Sequence, residues 1–385
     1  MILSSAEKEN RVITGSFYTP RIWVKKAQEY LKAALGDNWE NEYYIWDCAA
    51  GTGNLLVGLT RPERIFASTI DLSDVILMKR LVNADEDTDG DKLDLLPNHI
   101  FQFDFLNDEF SKLPENLQEI IKNEPEKLVI FINPPYADVT NKNTTIGKGE
   151  NRTGLLNNTI WKNNKSLGLA TRETFSQFFI RIYNEIPNCI LATFASLKYL
   201  NSEGFVEFRE FFKAKFLKGF ICPAYTFDNV KGEFPIGFLI WETKIKETIK
   251  IIKTDIFDKN GNFLGNKTFY ADFGENIHKW RAKFNKQGKE ISLIISQVAP
   301  DFQNNNQVAF VSKKTFKKCL SITEFNLIYF FIYFAVRHTI PHTWINHNDQ
   351  FLHPNKKWEN DTEFQNNCFI YSLFHEKIEF QIRKE

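Results

Sequence analysis

The chain holds no long apolar stretch. Its longest, Leu327 to Val336, reads LIYFFIYFAV and is ten residues, about half of what an α-helix needs to cross a bilayer. It reads as a buried helix, and no membrane partner is expected. The opening residues, MILSSAEKENRV, turn charged at once and hold no signal-peptide core. Cysteine is scarce. Cys48, Cys189, Cys222, Cys319 and Cys368 are scattered, odd in number and without a CxxC pair. That argues against a disulfide framework or a cysteine-held zinc, and fits the reduced thiols of a cytoplasmic protein. A charge excess is missing too, since 48 basic residues meet 48 acidic ones. A polyanionic partner therefore needs a local basic face, not a global field.

What is present is an ordinary globular composition, 43% hydrophobic and 25% charged over 385 residues, a length that suggests two domains. Thr19 is placed to cap a helix that has Pro20 at its first position and Gly36 just past its end. Val24, Ala27, Leu31 and Leu35 then share one face. Short β-branched or aromatic runs alternate with helical stretches from there. The runs are 43–46, 65–70, 99–103 and 128–132, with later ones at 189–194, 217–222 and 236–241. This rhythm predicts an α/β fold, a Rossmann-like, doubly wound, mostly parallel sheet. It stops near Ile245. The expected organisation is a catalytic domain at 1–245 and a smaller α+β C-terminal region at 246–385. A loop rich in Asn, Gly, Lys and Thr is expected at 137–170, beside the site.

In such sheets ligands bind beyond the carboxyl ends of the strands, and four strands end in a chemically useful residue. Asp47 ends the first and leads into Cys48-Ala49-Ala50-Gly51-Thr52-Gly53, whose glycines permit a tight turn and close approach to a ligand. Asp71 follows the second, placed to accept hydrogen bonds from ribose hydroxyls. Asp104 follows the third and can accept from an adenine amino group, with Phe105 against the ring. The fourth closes on Asn133-Pro134-Pro135-Tyr136. Two prolines hold that backbone rigid with its carbonyls outward. The Asn133 side-chain oxygen and the Pro134 carbonyl can both accept from one NH2 group, turning the nitrogen lone pair toward a methyl donor, and Tyr136 offers a flat face for a base.

The order GSFYTP, DCAAGTGN, an acid after the second strand, DF and then NPPY resembles the gamma-class DNA adenine-N6 methyltransferases of bacterial restriction–modification systems, over roughly residues 15–245. The resemblance implies a class I fold using S-adenosyl-L-methionine and a site-specific, adenine-specific activity on double-stranded DNA. It implies that Tyr18, Thr19 and Pro20 line the methionine end of the donor, with Asp47, Ala49, Gly51 and Gly53 wrapping it. Asp71 would hold the ribose, Asp104 with Phe105 the adenine, and Asn133 to Tyr136 the amine of a flipped-out base. It also implies an aromatic residue on the far side of that base, just before a late strand. Phe227 is the first choice and Phe234 competes with it, since spacing does not separate them. Cys48 and Ala50 depart from the family's usual Pro and Cys, and the segment 172–178 matches its next motif only loosely.

Alternative readings are a protein-glutamine methyltransferase, an RNA-base methyltransferase, and a methyltransferase-like DNA-binding protein of weak activity. The first of these typically lacks both GSFYTP and a long segment after the sheet. The region 246–385 is expected to be the DNA-contacting, target-recognition part; family members often carry a larger one, so it is expected to be incomplete, with recognition lost or separately encoded and a specificity or restriction subunit as partner. No nuclease is expected within the chain. The acidic run Asp85–Asp89 lacks the closing acid of a calcium loop. His338, His342, His347 and His353 lack metal-site spacing, and no metal is expected. Lys279, Trp280, Arg281, Lys283, Phe284, Lys286 and Lys289, followed by Lys313, Lys314, Lys317 and Lys318, suit phosphate contact and base stacking. Lys142, Lys148, Arg152, Lys162 and Lys165 of the loop could clamp DNA.

Overall fold

A computed structural model describes residues 18–82, 92–136, 159–228, 230, 232–271, 274–284, 288–296, 299–311 and 319–376. The chain divides into two compact units, one ending at Ala271 and the other beginning at Asp272.

The first unit is built on one nine-stranded sheet. Its strands are β1 Tyr44–Asp47, β2 Ile65–Thr69, β3 Ile100–Gln102, β4 Leu128–Ile132, β5 Ile190–Ser196, β6 Lys215–Pro223, β7 Pro235–Glu242, β8 Ile251–Phe257 and β9 Phe263–Tyr270. The order is β3-β2-β1-β4-β5-β7-β6-β8-β9. Strands β1 to β5 run parallel to their sheet neighbours among themselves, while β7 lies antiparallel between β5 and β6. This is an open, doubly wound α/β arrangement, with strand order reversing between β1 and β4. Central strands buried on both faces read as unbroken apolar runs, and every residue of β2, β4 and β5 is buried.

Helix α1, Arg21–Leu35, buries Trp23, Val24, Ala27, Tyr30 and Leu31, an apolar stripe at helical spacing. It ends where Gly36, at φ +102°, returns its N–H to the Lys32 carbonyl. No side chain caps its start. The Thr19 hydroxyl is directed into the site instead, so the expected capping role is corrected. Helices α2 Leu72–Val82, α3 Glu115–Asn123 and α4 Thr174–Glu185 follow β2, β3 and β4. The helix expected after β1 is a single 3-10 turn, Asn54–Leu56. Gly58 at φ +90° stops it, and β2 begins at Ile65, leaving no length for more.

The boundary expected at 245 lies at 271. The rhythm breaks there because β8 and β9 form a hairpin, not another strand–helix unit, yet they extend the same sheet: β8 pairs parallel with β6 through Phe220 and Asp255. The Tyr30 hydroxyl of α1 donates to Asp255 across that extension. The loop expected at 137–170 can be compared only from Thr159 onward. Residues 137–158, with Lys142, Lys148 and Arg152, lie outside the described residues, while a short helix Thr159–Asn163 and a 3-10 segment Lys165–Arg172 occupy the rest.

The second unit has its own apolar core. It holds an antiparallel sheet in the order β11-β10-β12, with β10 Glu290–Ile295, β11 Ala309–Val311 and β12 Cys319–Thr323. Helices α5 Ile277–Ala282, α6 Leu327–Thr339 and α7 Thr362–Phe374 accompany it. Among the described residues, no helix is long and apolar enough to cross a membrane.

Candidate functional site

The carboxyl ends of β1, β2, β3 and β4 all reach one edge of the sheet, at the point where strand order reverses. Asp47 ends β1 with 1% of its surface exposed. It accepts one hydrogen bond, from the Ala49 N–H at 3.0 Å. Burial pushes its carboxyl up to about 8, because a charge in an apolar setting is costly without a partner. The turn beyond it uses both glycines. Gly51 has φ +54° and Gly53 φ +82°, backbone values that favour residues lacking Cβ. A Cβ on Gly53 would meet Leu93 at 2.9 Å and Met78 at 3.1 Å. One on Gly51 would meet nothing closer than 4.0 Å, so the space over that turn is open.

Asp71 lies one residue beyond Ile70 at the end of β2, is exposed, and precedes α2. Its neighbours Ile70 and Leu72 are 59% and 55% exposed, an apolar pair at the rim that sequence patterning did not single out. An exposed hydrophobe on either side of a strand-end acid was the available signal.

Asp104 turns back on its own loop. Its carboxylate accepts from the Leu106 N–H at 3.0 Å, the Asn107 N–H at 3.2 Å and the Asn107 side chain at 2.7 Å. A carboxylate offers about four lone-pair sites, so one acceptor position remains. Phe105 does not present a face to this edge. It is 3% exposed, stacks on Phe178 with centroids 5.0 Å apart and meets Trp46 edge-on. Its expected place against an adenine ring is corrected: the side chain belongs to the core. Its main-chain N–H has no partner among the described residues.

Asn133 follows β4 and is held from α1's side of the site. Its Nδ2 donates to the Thr19 hydroxyl at 2.9 Å, while the Asn54 side chain donates to the Thr19 carbonyl. This three-residue link fixes which way the Asn133 amide faces, leaving Oδ1 on the opposite side. There it accepts from the Tyr136 hydroxyl at 2.5 Å. Tyr136 packs against the core, and burial pushes its phenol well above the usual range, so the hydroxyl stays a donor at working pH. The Pro134 carbonyl has no partner among the described residues. Tyr18 and Pro20, half-buried, flank Thr19.

The two competing aromatics separate by burial. Phe227 is 2% exposed and edge-on to Phe194 at 5.8 Å. Phe234 is half-buried at the foot of β7 and packs against the same core as Tyr136. The first choice of Phe227 as base-stacking residue is corrected, since both its faces are enclosed.

Other expectations fare as follows. Trp280 and Phe284 stack with Tyr329 and Trp358 inside the second unit, and Arg281 is buried with Nη1 on the Ser296 hydroxyl at 2.7 Å. Trp280, Arg281 and Phe284, three of the expected stripe, are therefore packed into the second unit's interior. Lys283 pairs with Glu275 at 2.5 Å, and Lys286, Lys313, Lys314, Lys317 and Lys318 lie outside the described residues, as do Asp85–Asp89. Glu173 pairs with Lys198 at 2.8 Å. His342 and His347 share a hydrogen bond at 2.9 Å, and no group of three metal-binding side chains converges among the described residues. The five cysteines are buried and free.

No protein-family model matches the chain, and no curated protein matches it. Solved structures do. A DrdV–DNA complex is 17% identical over 67% of this chain and 29% of that one, with a TM-score of 0.46. A nuclease-deletion mutant of the Type ISP restriction-modification enzyme LlaGI, bound to a DNA substrate mimic, is 14% identical over 65% of this chain and 28% of that one, at 0.41. The M protein of the Type I restriction enzyme EcoKI is 11% identical over 93% of this chain and 73% of that one, at 0.39. The chain thus spans less than a third of the first two.

Proposed function

We propose that this chain is a gamma-class DNA methyltransferase that takes a methyl group from S-adenosyl-L-methionine to N6 of a flipped-out adenine. The observation that carries the reading is the Thr19–Asn133–Tyr136 arrangement at the end of β4. It orients an amide oxygen beside a rigid proline carbonyl, two acceptors suited to one NH2 group.

The donor set along the edge fits the cofactor's parts. Asp47 is a buried carboxyl short of partners, suited to an ammonium. The open space over Gly51 admits the methionine end. Asp71 suits ribose hydroxyls, and Leu72 and Ile70 an apolar ring face. The remaining acceptor of Asp104 and the Phe105 N–H, which has no partner among the described residues, suit the amino group and adjacent ring nitrogen of adenine. When bound, the cofactor supplies a methyl on a sulfonium centre.

The chain's own work is orientation. Extruding a base from a duplex costs a few kcal/mol, and stacking on Tyr136 and Phe234, at about 1–3 kcal/mol per base, offsets it. Asn133 Oδ1 and the Pro134 carbonyl hold the amine with its lone pair toward the methyl. Fixing geometry in this way is a large part of what a site without covalent chemistry can contribute. DNA is the proposed macromolecular partner, with a separate specificity or restriction subunit completing recognition.

The test uses bacterial genomic DNA and tritiated methyl donor, with modified bases mapped. N6-methyladenine at a defined sequence is expected from the wild-type chain. Asn133→Ala should retain donor binding and lose transfer by at least about a hundredfold. Label recovered in added protein or RNA instead of DNA overturns the substrate assignment, and normal turnover by Asn133→Ala overturns the role of the amide.

A further inference from the structure

The loop after β3 is held by a side chain far away in sequence. Arg181 lies on α4, and its guanidinium is 5% exposed. Nη1 donates to the Phe105 carbonyl, and Nη2 donates to the Asp108 carbonyl at 2.6 Å. Glu185, one turn on, braces it from behind at 3.1 and 3.2 Å. Phe110 and Phe105 cover its faces at 4.6 and 5.2 Å. A planar fork with fixed donors reaches two carbonyls in one rigid geometry, which a lysine cannot do.

Those two carbonyls bracket the Asp104 turn. Between them, the Asp104 carboxylate is locked by Leu106 and Asn107, and the Asp108 side chain returns a bond to the Asp104 N–H at 2.9 Å. The loop thus hangs from Arg181, with Phe105 pulled into the core and its N–H without a partner among the described residues. Without the guanidinium, both carbonyls lose their donor, and the Phe105–Phe178 stack is left to tie the near end of the turn to α4 while the Asp108 end loses its tie.

We propose that Arg181 is a positioning residue that sets the nucleobase selectivity of the donor site, by holding the Asp104 acceptor and the Phe105 N–H at the spacing of an adenine edge. The proposal rests on the reading that this loop receives the adenine end of the donor. Arg181 touches neither donor nor DNA. Its effect falls on recognition of the donor base and leaves the transfer step itself alone.

The experiment compares calorimetric binding of S-adenosylhomocysteine and its inosine counterpart, in which oxygen replaces the amino group, by the full chain. Wild type should favour the adenine compound by on the order of tenfold or more, a size typical of one well-placed hydrogen bond. In Arg181→Met that ratio should fall toward one. In turnover, KM for the donor should rise while kcat at saturating donor changes little. Arg181→Lys, which keeps the charge but reaches one carbonyl, should give an intermediate ratio, and Glu185→Gln a smaller loss. Reduced thermal stability with the wild-type ratio kept overturns the proposal and makes Arg181 merely structural. Should Arg181→Met fail to fold, wild-type ratios in both Arg181→Lys and Glu185→Gln overturn it equally. A wild-type chain that binds neither compound overturns the donor reading itself, and the proposal with it, so the two failures are told apart.

Discussion

Single residues carry the sharpest consequences. Phe227 and Phe234 are both aromatic and lie seven positions apart, yet Phe227 is enclosed in the core and Phe234 is half-buried. Phe227→Ala should cost about 3–5 kcal/mol of stability, as for a phenylalanine removed from a packed core, seen as a lowered midpoint in chemical denaturation. Phe234→Ala should leave that midpoint nearly in place and weaken capture of the target base, seen as lost fluorescence of 2-aminopurine at the target position. Asp47 gives a pH signature. Its folded carboxyl titrates at about 8, above the unfolded value near 4. Between those two values the folded chain holds a proton that the unfolded chain has released. Stability should therefore fall as pH rises through that window, by up to about 1.4 kcal/mol per unit, and level off above it. Asp47→Asn lacks the proton and should lack this slope. Parallel stability-against-pH curves for the two proteins would refute the account.

At the scale of elements, strands were legible and their joints were not. Leu128–Ile132 announces itself by five apolar residues in a row, and Pro235–Glu242 by its β-branched and aromatic centre, because strand residues buried on both faces leave a local mark. The helix missing after β1 left none: DCAAGTGN looks the same whether an α-helix or one 3-10 turn follows, and Gly58 with Pro62 decided it. Phe105 was misplaced for a related reason. Its partners Phe178 and Arg181 are more than seventy positions away, and no local pattern encodes which way a strand-end side chain turns. The glycine turn offers a test at this scale. Gly53→Ala should lose about 1–3 kcal/mol from left-handed strain alone, with more from the overlap on Leu93 and Met78. Gly51→Ala should unfold at denaturant concentrations closer to wild type, because its Cβ meets open space, yet bind S-adenosylhomocysteine poorly because the methyl fills the cradle. Equal binding loss without any stability difference would contradict the contacts drawn for these two positions.

For the whole molecule, the change of rhythm near Ile245 marked a change of motif and not the end of a unit. Phe220 on β6 and Phe257 on β8 lie with centroids 5.7 Å apart, and Tyr30 meets both rings, so the hairpin after 245 completes the core. A fragment ending at Ala271 should fold cooperatively and bind S-adenosylhomocysteine. One ending at Ile245 should expose Phe220 and aggregate. Two fragments of equal solubility and affinity would put the boundary back where the sequence suggested.

The hydrogen bond from Tyr136 to Asn133 gives the site a resting guest. On the proposed function, the acceptor that a base would reach already has a donor 2.5 Å away, so entry would be an exchange and not the filling of a vacancy. A newcomer must bring its own N–H to replace the phenol's O–H and a ring face to occupy Tyr136 once it is released. A base that turns a carbonyl toward Asn133 offers no donor and leaves the tyrosine where it is. On the proposed function, a base presenting an amino group to Asn133 would be favoured over one presenting a carbonyl, with one intramolecular bond as the standard to be matched.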